Sequence, residues 1–266
     1  MNFRSVIRPS VWFALILMAL GGVAQAEGAP EGAPKGWRHG IGTGMQFMNM
    51  DGNIGLDTIF GPVRLELDLD TSDVQDLIET AFGLGGFSSK GKWTLAYSGA
   101  YIELVGGDSG TGPMGMPASA TVNLEVTSVE FSTAYRFAVT GKHAWSVLGG
   151  VRYTEHSYEA DLTVGTGSSM TKFDNDWTDF LIGITHRVPF RKKLAWTNRL
   201  DGGFGGSEGT THFNTALHWQ VAKRFDLGFS ADYRAIEFEN ASEGAPGWYL
   251  YDVDEFGFGL SFAFLY

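Results

Sequence analysis

The chain has 266 residues, with 37 glycines, 14% aromatic residues and no cysteine, which excludes a disulfide framework and a thiolate metal site. Its formal net charge of -11 argues against nucleic acid as a partner, because binding a phosphate backbone needs a basic face. High glycine and aromatic content beside only 8 prolines fits many strands better than disorder or a helical bundle.

The first element in the chain is a signal peptide over residues 1–26. Arg4 and Arg8 form a basic n-region, Val11 to Leu20 an apolar h-region, and Ala24-Gln25-Ala26 a small-residue cleavage site. Cleavage implies export. No later run approaches the ~18 apolar residues of a transmembrane helix. Residues 27–36, with the repeat "EGAPEGAPK", lack apolar content and read as a flexible linker. From Trp37 to Tyr266 the chain reads as one domain with ten strand-like segments, at 37–48, 81–89, 92–105, 121–139, 143–162, 177–189, 193–205, 211–224, 226–239 and 253–266.

Their connections alternate. Short ones lie at Ser89–Lys92, Thr140–Lys142, Phe190–Lys193 and Arg224–Asp226. Long ones cover 49–80, 106–120, 163–176, 206–210 and 240–252. Short turns at one end and longer loops at the other are the layout of an all-β, antiparallel, up-and-down transmembrane barrel of about ten strands. The first long connection predicts one short helix over 72–82, with Ser72 and Gln75 as a capping box and Val74, Leu77, Ile78, Ala81 and Phe82 at helical spacing. If "VRLELDLD" (63–70) adds strands the count is twelve; eight is the smaller alternative.

The solvent of the apolar faces follows from the basic residues, since lipid charges ~2–4 kcal/mol for Lys or Arg at the midplane of a barrel wall. Lysines and arginines crowd the short turns: Lys90, Lys92, Lys142, Arg191, Lys192, Lys193, Lys223 and Arg224. Six arginines fall inside strands: Arg38, Arg136, Arg152, Arg187, Arg199 and Arg234. All six share the parity of small or polar residues, as do the acids Glu130, Asp179, Asp201, Asp232 and Glu255. The inward face is therefore polar and the outward face apolar, the reverse of a soluble sandwich. The predicted lumen charge network is Glu130, Arg136, Arg152, Asp179, Arg187, Arg199, Asp201, Asp232 and Arg234. Three features strain this frame. His186 and Asn198 fall on the outward parity, and in 121–139 the alternation slips near Thr127–Ser128, as a bulge or a strand leaving the bilayer would produce. Trp37, Trp93, Trp145, Trp196 and Phe225 beside the short turns, with Trp177 and Trp248 at the other end, read as two interfacial girdles.

The last strand puts Phe256, Phe258, Leu260, Phe262, Phe264 and Tyr266 on one parity and mostly small residues on the other. A final strand ending on an aromatic residue resembles the C-terminal signal of small Gram-negative outer-membrane β-barrel proteins, with Tyr where Phe is commoner. Within Asp174 to Asn240 the elements Asp179/Gly183/Arg187, Arg199/Asp201/Gly202–Gly205 and Tyr233/Arg234 resemble one branch of the outer membrane protein β-barrel domain proteins. The resemblance implies an outer-membrane location, contact with outer-membrane lipid and lipopolysaccharide, and recognition of the final strand by the barrel-assembly machinery.

The residues suggest no enzyme and no cofactor. Omptin proteases are similar in strand number, but their chemistry needs paired Asp and an Asp-His pair at the outer rim. Here His156 and His212 are the rim candidates, without paired aspartates beside them. Glu66, Asp68, Asp70 and Asp73 form an acidic stretch of the kind that holds Ca²⁺, without an EF-hand pattern. There is no P-loop, zinc-protease motif or nucleophile elbow. The expected role is a non-enzymatic integral outer-membrane protein, structural or binding a small or apolar ligand above a salt-bridged lumen. The alternatives are a narrow channel, then a protease or lipid-modifying enzyme.

Overall fold

The protein, seen in a computed structural model, is described at residues 36–58, 61–111, 117–164 and 166–266. The expected signal peptide and all of the expected linker but Gly36 lie outside the described residues. The strands are β1 (Arg38–Thr58), β2 (Gly61–Leu69), β3 (Ile78–Lys90), β4 (Trp93–Thr111), β5 (Pro117–Thr140), β6 (His143–Val164), β7 (Gly167–Arg191), β8 (Leu194–Gly205), β9 (Gly209–Ala222), β10 (Phe225–Glu239) and β11 (Tyr249–Leu265). The helix α1 (Thr71–Leu77) separates β2 from β3. All pairings are antiparallel, and β11 pairs back onto β1 from Gly40–Leu265 to Leu56–Tyr249, closing the ring.

Ten strands close the barrel because β2 and β3 share one place in it. The upper half of β1 pairs with β2 from Thr58–Gly61 to Met50–Leu69, and its lower end pairs with β3 from Arg38–Ser89 to Gly42–Gly85. The chain descends beside β1 as β2, leaves the wall through α1, and returns as β3. The "VRLELDLD" stretch is thus a strand, but it does not raise the count to twelve. The helix is shorter than 72–82, and its cap differs from the expected one. Asp70 is the N-cap, accepting from the backbone N–H of Ser72 and Asp73, and Asp73 returns the bond to the Asp70 N–H. The β-branched and aromatic run that begins at Ile78 continues as strand. Two short turns, Lys90–Lys92 and Thr140–Lys142, carry Gly91 and Gly141 at φ 61°, a conformation that favours glycine.

Most of the expected long loops are strand. β4 runs to Thr111 and β5 starts at Pro117; β6 runs to Val164 and β7 starts at Gly167. The Thr127–Ser128 slip is not a bulge, because the β4–β5 and β5–β6 ladders pass through it unbroken. The strand keeps its parity while the two faces exchange polarity. Below this level β5 presents Phe131 outward and Glu130 inward; above it, Glu125 and Asn123 point outward and Val126 and Leu124 inward.

The same exchange occurs around the ring at one register level. Outward Tyr101 gives way to Glu103, Tyr153 to Glu155, Tyr233 to Glu237 and Phe256 to Asp254. Below it the outer wall is an apolar band that includes Phe131, Phe180, Ile182, Phe229, Phe258 and Phe262, all exposed. Nine residues from Phe256 to Phe264 rise roughly 25–30 Å along a strand, enough to cross a bilayer at barrel tilt. Above it the barrel stands in water with an acidic outside and an apolar inside.

Of the expected lower girdle, Trp37, Trp93, Trp196 and Phe225 are exposed, and Trp145 is half-buried, stacked on the His186 ring at 4.1 Å. Trp177 and Trp248 do not form the upper one: Trp177 is buried inside the upper barrel, and Trp248 is buried over Gly55 beside Arg64, its Nε1 donating to Glu239 at 2.7 Å. Tyrosines take that place, with the Tyr153 hydroxyl donating to Glu155 at 3.1 Å and that of Tyr233 to Asp254 at 3.1 Å. His186 and Asn198 do point outward, and they satisfy one another. Asn198 contacts the His186 ring at 3.4 Å and accepts from Thr215 at 2.8 Å; His186 bonds His143 at 2.9 Å.

Candidate functional site

The lumen is built by inward parity. β5 supplies Glu130, β6 Arg152, β8 Arg199 and Asp201, β9 His212 and Asn214, β10 Asp232 and Arg234, and β11 Glu255. Glu130 lies at the centre. One of its oxygens accepts from Arg152 at 2.9 Å and the other from Arg199 at 2.8 Å. Asp201 accepts from Arg199 Nε at 2.5 Å, lies 3.1 Å from His212 Nδ1, and is 3.6 Å from Arg152. Asp232 lies 3.0 Å from His212 Nε2 and accepts from Asn214 at 2.8 Å. Arg234 and Glu255 form the loosest pair, at 4.0 Å. Three guanidiniums thus face four carboxylates, and the His212 ring is held between two of those carboxylates. Buried charges persist in such a mutually paired set because isolated ones are too costly to desolvate.

Six of the nine predicted network residues come together here: Glu130, Arg152, Arg199, Asp201, Asp232 and Arg234. Three take other places. Asp179 is fully buried and caps the β8–β9 turn, accepting from the backbone N–H of Ser207 at 2.8 Å and of Gly206 at 3.2 Å, and from the Ser207 hydroxyl. Arg136 reaches the short turn below, donating to the Gly91 carbonyl at 3.0 Å. Arg187 sits one inward step nearer the short turns than Arg199, level with Thr197.

Neither His212 nor His156 reaches the rim. Both share the parity of lumen residues (Asn214 with His212, Thr154 with His156), and counting parity through them would have placed them inside. Asn214 was legible by the same count.

Above the ion cluster the lumen turns apolar. Met48, Met50, Leu104, Leu124, Tyr158, Ile236, Phe238, Tyr249 and Tyr251 pack with Trp177, and Val74 of α1 completes the group. Trp177 stacks on Phe238 at 4.2 Å. His156 is wedged edge-on against Trp177 and Tyr251 and bonds the Tyr249 hydroxyl at 2.8 Å. Between cluster and apolar group lies a cavity. Its volume is about 50 Å³. Met48, Met50, Leu104, Leu124 and Ile236 line its apolar side, and Arg152, Arg234 and Glu255 its polar side.

Among the described residues no three His, Asp or Glu are placed to hold a metal ion. In the acidic stretch, Asp70 and Asp73 are engaged in the α1 cap. Hydrogen bonds from Ser72 and the Asp73 backbone hold the Asp70 carboxyl below its ordinary value.

No protein-family model matches the sequence, and no curated protein matches it. Solved barrels are similar in architecture. The translocator domain of the autotransporter NalP from Neisseria meningitidis is 9% identical, covering 88% of this chain and 90% of its own, at TM-score 0.43. The COG4313 outer membrane channel from Pseudomonas putida F1 is 10% identical, covering 90% and 100%, at 0.39. The attachment invasion locus protein Ail of Yersinia pestis is 10% identical, covering 86% and 98%, at 0.32. These likenesses are too distant to carry any residue or activity across.

Proposed function

We propose that the chain is an integral outer-membrane protein with a sealed lumen and no enzymatic activity, which holds a small apolar or amphiphilic molecule in the cavity above its ion cluster. The observation that carries the reading is the reversal of lumen polarity at one height, with a cavity at the junction. A cavity that is apolar on one side and offers a few fixed polar groups on the other is the usual form of a small-molecule site. The paired charges below and the packed aromatic residues above favour a closed lumen over a channel. The positions of the histidines disfavour catalysis: His212 lies between two carboxylates and His156 inside an aromatic cage, away from rim water.

Two measurements test this. In planar bilayers the purified protein is expected to show no single-channel steps. With methyl-labelled methionine, titration with octanol is expected to shift the Met48 and Met50 resonances saturably. A stable conductance, or unshifted methyls, would overturn the proposal.

A further inference from the structure

The wall is incomplete at one seam. The β1–β3 ladder stops at Gly42–Gly85, whereas β1 pairs with β11 along nearly its whole length. Extending the register would set residues 43–49 of β1 against 84–78 of β3, yet among the described residues no backbone pairing joins them. One side-chain bond crosses the gap, from Thr43 Oγ1 to the Gly83 carbonyl at 2.7 Å. Phe82 and Leu84 stand exposed beside it at 58% and 52%, so its lower part lies within the apolar band. Phe82 stacks on Tyr101 at the upper boundary. Unpaired strand edges at bilayer depth are expensive and are tolerated where they line protein or a cavity. This seam has the cavity behind it, where Met48 and the consecutive residues Ala100, Tyr101 and Ile102 belong to the lining.

The polar side of that cavity limits what enters. Arg152 Nη1 and Arg234 Nε have no hydrogen-bond acceptor among the described residues, on side chains that are 5% and 9% exposed. A molecule with an acceptor oxygen would satisfy them. The three guanidiniums already face four carboxylates, so an anionic head would add a fifth negative group to the buried cluster and be costly.

Resting on the ligand-holding role proposed above, we infer that the β1–β3 seam is a lateral port through which an uncharged single-chain amphiphile passes from the outer leaflet. Its acceptor oxygen meets Arg152 and Arg234, and its tail lies in the seam. The small enclosed volume suits the head and first carbons, and the flexible side chain of Met48 adapts around them.

The test delivers a terminally brominated octanol from lipid vesicles and follows quenching of Trp177, assigned by difference from Trp177→Phe. The chain has no native cysteine, so the pair Thr43→Cys and Leu84→Cys can be joined across the seam by oxidation. Quenching is expected to be saturable, and at least about tenfold slower in the oxidised than in the reduced pair, with equal final amplitude. The ionised bromooctanoate is expected to bind at least about tenfold more weakly. Equal rates in both redox states would overturn the port and leave the cavity reading standing. Absence of saturable quenching in the native protein would overturn the cavity reading itself. Equal affinity for the carboxylate would overturn the uncharged head. Should the cysteine pair fail to fold, judged by heat-modifiable migration, Thr43→Val provides the second variant. It removes the Thr43–Gly83 bond and is expected to speed entry, and an unchanged rate would count against the port.

Discussion

Glu130→Gln isolates the value of the ion cluster. The native carboxylate holds two guanidiniums at 2.9 and 2.8 Å. Removing its charge takes the central anion from both guanidiniums and leaves Arg152 with Asp201, at 3.6 Å, as its nearest carboxylate. A contact of this kind is worth ~4 kcal/mol at 4 Å under an effective dielectric of 20, before desolvation is counted. Measured losses on breaking one side of a buried pair are about 3–5 kcal/mol, and that is the expected destabilisation. The double variant Glu130→Leu with Arg152→Met removes both charges together. The contacts Arg199–Asp201, His212–Asp232 and Arg234–Glu255 stay in place, so the double variant is expected to recover most of the loss. Urea unfolding in vesicles, followed by heat-modifiable migration and tryptophan fluorescence, measures both. A single variant within ~1 kcal/mol of the native protein, or a double variant as unstable as the sum of the two singles, would refute the reasoning.

Other predictions address the boundary, the chain end and the helix. Phe131→Arg, in the bilayer-facing band, is expected to cost ~2–4 kcal/mol in the same assay. Glu125→Arg, three inward–outward pairs higher on the same strand and in water, is expected to stay within ~0.5 kcal/mol; equal costs would misplace the boundary. Tyr266→Asp is expected to lower the amount of folded protein in the outer-membrane fraction, since Tyr266 closes the ring with His39 through paired backbone bonds at 3.0 Å and ring stacking. Normal folded levels would count against an assembly role for the last strand. The cap bonds hold the Asp70 carboxyl below its ordinary value, so its contribution to α1 is fully present above that ordinary value and is lost as pH falls through the depressed folded one. Amide exchange at Val74, whose N–H donates to the Asp70 carbonyl at 3.0 Å, is expected to be slow at neutral pH and to lose protection, after correction for intrinsic rates, only in strong acid. Protection unchanged in strong acid would dismiss the cap as a pH-dependent element.

The sequence by itself determined the barrel and its inside and outside, and put the strand number near ten with eight and twelve open until the shared place of β2 and β3 settled it. Period-2 alternation is local, and a single arginine such as Arg152 or Arg199 orients a whole strand because lipid rejects it. The same parity held Glu130, Arg152, Arg199, Asp201, Asp232 and Arg234 on the lumen side before any contact was known. What parity does not carry is height and register, which depend on pairing between strands far apart in the chain. Only the tertiary structure decided that Asp179 caps a turn, that Arg136 reaches Gly91, and that His212 bridges two carboxylates. It also decided that the upper strands exchange polarity without changing register. An alternating strand in water with an apolar interior reads, by polarity alone, like a break in a membrane strand. The open seam is a tertiary fact of the same kind, since it exists only where β2 and β3 divide one place beside β1 and α1 stands between them.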